Sequence, residues 1–531
     1  MSAWKDWSCY AGSQEEKESF SCLQHLVVRR CPELIGTLPR RLDHLIKLEI
    51  HSCLHLNDST NEVHLPSLHE LHIGDCNKEI LKKLEDLTSL TILKIENLVE
   101  LVCFDNGFTS YLVKLKELHI KSCEMLTYLW QDGDGTRNLT CLQSVVIEYC
   151  PQFTSFMRGQ GEIGLPCDLE RMELRGCTSL ERLPSKLHTL RRLIIWSCPK
   201  IMGFTISPND PSNKNTMSHL EYLQIGESLA EITVVESLES LTIDSCMNLG
   251  SLPQCLRTLV HLTHLEIRNC PAMEMEDLPP LPLTLSLLIL YGCLKMKSIA
   301  NCNIDSCNNL TSLYIRDCPA LEMEDFPPLP ITLVYLALHS CPKIKSLEWH
   351  RLTSLQELLI KDCENMECFP EGGFPPNLRL FEIWGCNNMK QPVPVREWGL
   401  PMLTFLKTLG MDARSMGGEG DKECFPSEED DEDAWSLLFP SSLISLHIYG
   451  MRNVERLSSG LRHHLSSLQR LWIEDWPKLR DLPEDGLPPS LQQLWIFGCE
   501  ILQERCSKHT GDYWPLIQEI PLIYIDGLPI Q

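Results

Sequence analysis

No stretch of this sequence approaches the roughly 18 uninterrupted apolar residues of a membrane-spanning helix, and no basic flank leads into an apolar run near its start. Neither a membrane span nor a secretory leader is written in it. Positive charge is scarce as well: 47 Lys and Arg stand against 72 Asp and Glu, a formal net charge of −25. Nucleic acids and anionic membranes are held by clustered Lys and Arg, so both drop out as expected partners, and a protein carrying basic patches takes their place. Also missing are a Gly-x-x-x-x-Gly-Lys-Ser/Thr phosphate loop, a Gly-x-Ser-x-Gly nucleophile turn and any Cys-x-x-Cys pair. The usual signatures of nucleotide binding, serine hydrolysis and a thiolate metal site are therefore absent.

What the chain has in quantity is cysteine, 26 residues spread over 531. Disulfide scaffolds are short and secreted, so thiols this dispersed fit a reduced, intracellular chain in the cytoplasm or nucleus. Most recur in one phrase, Leu-x-x-Leu-x-Ile-x-x-Cys, in about twenty copies that run from Leu23, Leu26, Val28 and Cys31 to Leu491, Leu494, Ile496 and Cys499. Successive cysteines commonly lie 22 to 27 residues apart, within the roughly 20 to 29 of leucine-rich repeats. The second Leu and the Ile, two residues apart, fall on one side of a short strand while their neighbours face solvent. A strand this short cannot offset its own ordering entropy, so copies must stack into a long parallel sheet.

Leu-x-x-Leu-Pro follows many of the cysteines, as at Leu180 to Pro184 and Leu479 to Pro483, and most of the 34 prolines lie in such connections. Proline fixes φ and stops a helix, which predicts irregular connections with short turns. The expected fold is an α/β solenoid, a leucine-rich repeat horseshoe with its parallel sheet on the concave face. Its expected division is an N-terminal flank at 1–20 entering mid-array, repeats at 21–502 and a C-terminal cap and tail at 503–531. The period is lost over 400–440, where EEDDED at 428–433 predicts a solvated acidic insertion near 412–436.

In place of the Asn of many such repeats, Cys offers a small buried thiol that can donate weakly to a carbonyl at the strand exit. Leu98, Ser228, Met451 and Trp476 replace it. The repeat spelling, with MSAWKDWSC and FSCLQHLVVRRCPELIGTLP near the start and CEILQERCSKHTGDYWPLIQEIPLIYIDG at the end, resembles the C-terminal leucine-rich repeats of plant intracellular immune receptors of the coiled-coil, nucleotide-binding type. That resemblance implies recognition of a pathogen effector or host protein in defence, and autoinhibitory contact with a nucleotide-binding domain. ATP or ADP would belong only to a full-length receptor, because the phosphate loop is absent here. The chain is then expected to be a receptor fragment, a truncated product or a stand-alone repeat protein. Alternatives are a free-standing cytosolic binder or inhibitor and a ubiquitin-ligase substrate adaptor.

The positions flanking the buried strand residues are the candidate binding surface. They are charged in the N-terminal half, as in Lys47/Glu49/His51, Glu117/His119/Lys121 and Arg171/Glu173/Arg175, whereas aromatics gather from the middle onward. Trp196, Tyr291, Tyr314, Tyr335, His339, Trp384, Tyr449, Arg470, Trp472, Trp495 and Phe497 are the protein-binding candidates, since Trp, Tyr and Arg dominate interfaces. The competing explanation is that aromatics simply pair across strands and stabilise the sheet. No catalytic, cofactor or metal ligand set is expected. His339, His447 and Asp244 share the face but come from distant turns, and the carboxylates Glu274, Glu276 and Asp277 recur with the repeat at Glu322, Glu324 and Asp325. Residues 270–293 and 318–341 are near copies 48 positions apart in which Leu287, Ile289 and Tyr291 become Tyr335, Ala337 and His339.

Overall fold

A computed structural model describes residues 22–35, 38–39, 41–56, 62–98, 100–130, 139–158, 169–184, 187–201, 217–227, 236–247, 249–250, 252, 254–271, 273, 278–322, 328–344, 351–365, 373–386, 395–416, 422–427 and 434–530. The chain divides into two compact units, Met1–Leu262 and Thr263–Gln531. In the first, ten five-residue strands from His25–Arg29 to Ser240–Asp244 pair in chain order, all parallel. In the second, ten more from His264–Arg268 to Gln493–Phe497 do the same and are followed by Leu522–Ile525, which adds a further parallel rung.

The register is uniform. Leu26 stands beside Leu48, then Leu71, Leu93, Leu118 and Val145. Because side chains alternate along a strand, the second and fourth residues of every rung form two buried columns, and the first, third and fifth form three columns on an open face. Leu48, Ile50, Leu313 and Ile315 are all 0% exposed.

After the five-residue strands the next residue is held at positive φ, between 48° and 64° from Arg30 to Ser197; Ala413, which follows Thr408–Asp412 and begins a helical turn, is an exception. Its N–H donates to the last carbonyl of the next rung, as Ser52 does to Gly74 and Asn97 to Lys121, both at 2.9 Å. This turn extends the ladder by one bond and brings Cys to the following position. There the thiol lies against the carbonyl of the fourth residue of the preceding rung: Cys53 on Val28 at 3.9 Å, Cys198 on Leu174 at 3.6 Å, Cys363 on Leu338 and Cys499 on Ile473 at 3.7 Å. Where Trp476 replaces Cys, its indole N–H donates to the equivalent carbonyl, Ile448 O, at 3.1 Å.

The connections are irregular, as expected. Helices of three to six residues alternate with short parallel pairs such as Val63–His64 with Leu84–Glu85 and Tyr128–Trp130 with Ser155–Met157. No described helix is long and apolar enough to cross a membrane.

Two expectations are corrected. The repeat is not lost throughout 400–440: Leu403, Leu406, Leu409 and Met411 are buried and Thr408–Asp412 is a regular rung. Gly410 and Arg414, the latter standing where Cys is usual, disguise it. Beside the acidic run, Phe425, Trp435 and Phe439 are buried together with Trp476, with ring centroids 5.7 to 6.3 Å apart, so the flanks of that run are core. The run at 428–433, the N-terminal flank 1–20, Glu274, Glu276, Asp277, Glu324 and Asp325 lie outside the described residues.

Candidate protein-binding surface

Strand alternation places ten of the eleven candidates on the open face of the second unit. Trp196 is on that of the first, ending the strand Arg192–Trp196. Its ring lies across Gly226 of the next rung, where a Cβ would come within 2.4 Å of the indole. A side chain at that position would displace the ring.

Tyr291, Tyr314, Tyr335 and His339 occupy three successive rungs. The rings of Tyr314 and Tyr335 stack at 4.4 Å, and Arg316 lies 5.3 Å above Tyr291. Burial, with the Tyr314 hydroxyl beside it, holds the Tyr335 phenol protonated well above its usual range. Burial, reinforced by Arg316 and Lys361, lowers the pKa of His339, which is therefore a neutral ring near pH 7.

Further along, the third residue of each rung builds an aromatic ladder. Trp384, at the end of its strand, leans over Gly410, whose missing Cβ leaves room for the ring, and meets His447 at 4.6 Å. His447 pairs with Glu474 at 2.9 Å and leads to Trp472 at 6.0 Å. Trp472 and Trp495 follow at 6.2 Å, then Trp495 and Tyr524 at 3.7 Å with rings 8° from parallel. Arg470 opens the Trp472 strand and lies 5.9 Å from that ring. Tyr449 and Phe497, at strand ends, project beyond the ladder and are 41% and 51% exposed.

Two hollows follow from this relief. Thr408, Gly410 and Asp412 are small, and the Asp412 carboxylate is turned aside to accept from Gly385 N and from Ser415 N at 2.9 Å. A cleft of about 480 Å³ opens there between Trp384, His447 and Tyr449, with Asp362, Glu474, Asp475, Lys361, Arg414 and Arg452 around it. A smaller groove, about 200 Å³, runs along Trp472, Trp495, Phe497 and Tyr524. Trp495 Nε1 is shielded from solvent and has no acceptor among the described residues.

Sequence reasoning missed Tyr524, which it placed in a tail. The signal was present, because Ile520-x-x-Ile523-x-Ile525 repeats the rung spelling. It also missed Gly226 and Gly410, which are legible only once the neighbouring Trp is seen to lie over them.

The face of the first unit is charged and largely paired across rungs. Glu49, only 7% exposed, meets Arg29 at 2.6 Å and Lys47 at 3.0 Å, and Lys121 meets Glu96 at 3.2 Å. Burial alone would raise the Glu49 pKa, but hydrogen bonds from Lys47 and Arg29 outweigh it and hold the carboxyl below its usual value.

Comparison with known proteins agrees with this architecture. Residues 5–151 match the family described as plant disease resistance protein RPS2-like, leucine-rich repeats. A disease resistance protein of Arabidopsis thaliana is 31% identical over 99% of this chain and 40% of its own length. Disease resistance protein RPS4B of the same plant is 25% identical over 35% of this chain and 16% of its own. The chain thus spans well under half the length of these relatives. Among solved structures, the circular leucine-rich repeat protein CroV588 is similar at 17% identity, covering 88% of this chain and 76% of its own, with a TM-score of 0.47.

Proposed function

With its leucine-rich repeats of the plant disease-resistance type as the premise, we propose that this chain is the recognition module of an immune receptor. It binds a pathogen effector or a host protein along the aromatic ladder from Trp384 to Tyr524. In a receptor carrying a nucleotide-binding domain, the same repeats contribute an autoinhibitory contact, and partner binding shifts the balance only as far as it discriminates between the two states.

The observation that carries this reading is the pair of exposed rings, Tyr449 and Phe497, standing above a groove and a cleft of a size to take a partner's side chains. Ladder rings stacked on one another satisfy a need for sheet stability, whereas these two do not. The buried indole N–H of Trp495, without an acceptor among the described residues, adds to it, since such a donor costs about 1–3 kcal/mol unless an acceptor arrives. Around the cleft Asp362, Glu474 and Asp475 stand among Lys361, Arg414 and Arg452, so it is the net charge of −25 that favours a partner with basic groups, which also stack on aromatic faces.

The test is a direct binding screen of the purified chain against effector proteins of plant pathogens, repeated with Tyr449→Ala and Phe497→Ala. A true ligand should lose about tenfold or more in affinity with the pair, the size expected of interface hot spots. Ligands that bind the double variant as tightly as the native chain would place recognition elsewhere.

A further inference from the structure

The net charge of −25 hides a local reversal of sign. On the open face of the first unit, the strand Arg171–Arg175 presents Arg171, Glu173 and Arg175 at its outward positions, and Arg192 begins the next strand directly beside Arg171. Glu173 is 5% exposed and holds all three guanidinium groups: Arg171 Nη2 lies 2.7 Å and Arg192 Nε 3.6 Å from its Oε1, and Arg175 Nη2 lies 3.5 Å from its Oε2. One further carboxylate, Glu148, lies 3.4 Å from Arg175 and 3.5 Å from His119. Arg192 is also stacked on the Tyr222 ring at 3.9 Å.

Three guanidinium groups therefore meet two carboxylates, and the arginine side chains remain 30 to 51% exposed. On the outward columns of these three rungs the network leaves a surplus of one positive charge. The buried Glu173 and the Tyr222 ring fix the forks, so the N–H edges they do not use face solvent already ordered. Ordered guanidinium forks are suited to planar oxyanions, which they hold in bidentate pairs. The spot is also small. It extends about 13 Å along the strand and about 5 Å across to the next; Glu170 stands at the residue before Arg171, and Glu221, before the strand Tyr222–Gly226, is paired with Arg191. Nucleic acid or a membrane surface needs a continuous basic stripe, whereas the rungs on either side, Ser144–Glu148 and Tyr222–Gly226, carry no Lys or Arg.

The geometry points to Arg171, Arg175 and Arg192 as a docking spot for a short carboxylate-rich segment of a protein partner, two or three acidic side chains in length. It is independent of the aromatic ladder, and its sign is opposite to the one the overall charge favours.

The test is fluorescence anisotropy of a labelled Asp/Glu-rich decapeptide titrated with the full chain. Binding is expected, weakened severalfold as salt rises from about 0.05 to 0.2 M because the arginines are half-exposed. Arg175→Gln with Arg192→Gln should reduce affinity about tenfold or more, and Arg192→Lys, which keeps charge but loses the fork, about threefold. Arg29→Gln, on the same face but beside Glu49, should leave it unchanged, as should Tyr449→Ala with Phe497→Ala, which separates this proposal from the ladder. Circular dichroism identifies any variant that fails to fold, and Arg192→Lys then carries the test. Absence of peptide binding, equal binding by the double variant, or arginine-dependent binding of an RNA oligonucleotide or anionic vesicles would each overturn it.

Discussion

At the position three residues past the last buried strand residue, most rungs carry Cys, and the hydrogen bonds explain its use. The thiol is buried and its sulfur rests on the carbonyl of the rung before. Burial pushes the thiols of Cys76 and Cys363 up to about 11 and that of Cys499 up to about 12, so all three are protonated donors at neutral pH. Because the ladder thiols are buried, a thiol-labelling time course should modify the exposed Cys22 and Cys141 quickly and the ladder cysteines only on unfolding. Trp476 fills the same role with a stronger donor, so Trp476→Phe should cost about 1–3 kcal/mol in chemical denaturation by leaving Ile448 O unsatisfied. His72 is half-buried, and burial together with Lys94 and Lys47 lowers its pKa despite Glu49 and Glu70. Because the unfolded chain takes up that proton more readily, stability should fall as pH drops below about 6.5. His72→Gln should flatten urea midpoints measured between pH 7 and 5.5. Glu49, whose pKa is also lowered, adds acid sensitivity only at lower pH, below its ordinary carboxylate range.

Each element is one rung, and its weak point is the turn after the strand. Outside Thr408–Asp412 a residue there sits at positive φ, which suits Gly and is met here by Asn, Asp and Ser. Tyr149, at φ 54°, has no such excuse, and Gly176 on the next rung leaves space for its ring: a Cβ on Gly176 would lie 2.9 Å from Tyr149 Cδ1. Gly176→Val should destabilise the first unit by about 1–3 kcal/mol, since it combines φ strain with a clash, while Tyr149→Gly should be neutral or slightly stabilising. Thermal melts of the two variants distinguish these outcomes. The rung Thr408–Asp412 teaches a related lesson, because its Gly410 is kept small by the Trp384 ring of the previous rung and not by its own backbone. Gly410→Val should expel that ring from His447 and change the near-ultraviolet dichroism of the folded chain.

Across the whole molecule, two kinds of surface coexist: a charged face on the first unit with an arginine surplus, and an aromatic face with neighbours of both charges on the second. Trp472 and Trp495 are stacked within their ladder, so replacing them should lower stability as well as binding. Tyr449 and Phe497 are the cleaner probes: their double Ala variant should keep its denaturation midpoint within about 0.5 kcal/mol of native while losing the partner. The spelling Leu-x-x-Leu-x-Ile determined the rungs, their parallel stacking and which residues face outward, because a period of two admits one register when one side is buried. It reached further than expected, since Leu406, Leu409 and Met411 and then Ile520, Ile523 and Ile525 spell rungs that Gly410 and Tyr524 conceal. The sequence could not decide which outward side chains meet. Partners such as Arg175 and Glu148, or Trp384 and His447, are separated by connections of unequal length, and only stacking in common register brings them within a few ångströms. The tertiary structure alone decided that some charges cancel while three arginines keep their surplus, and that two glycines are seats for neighbouring tryptophans.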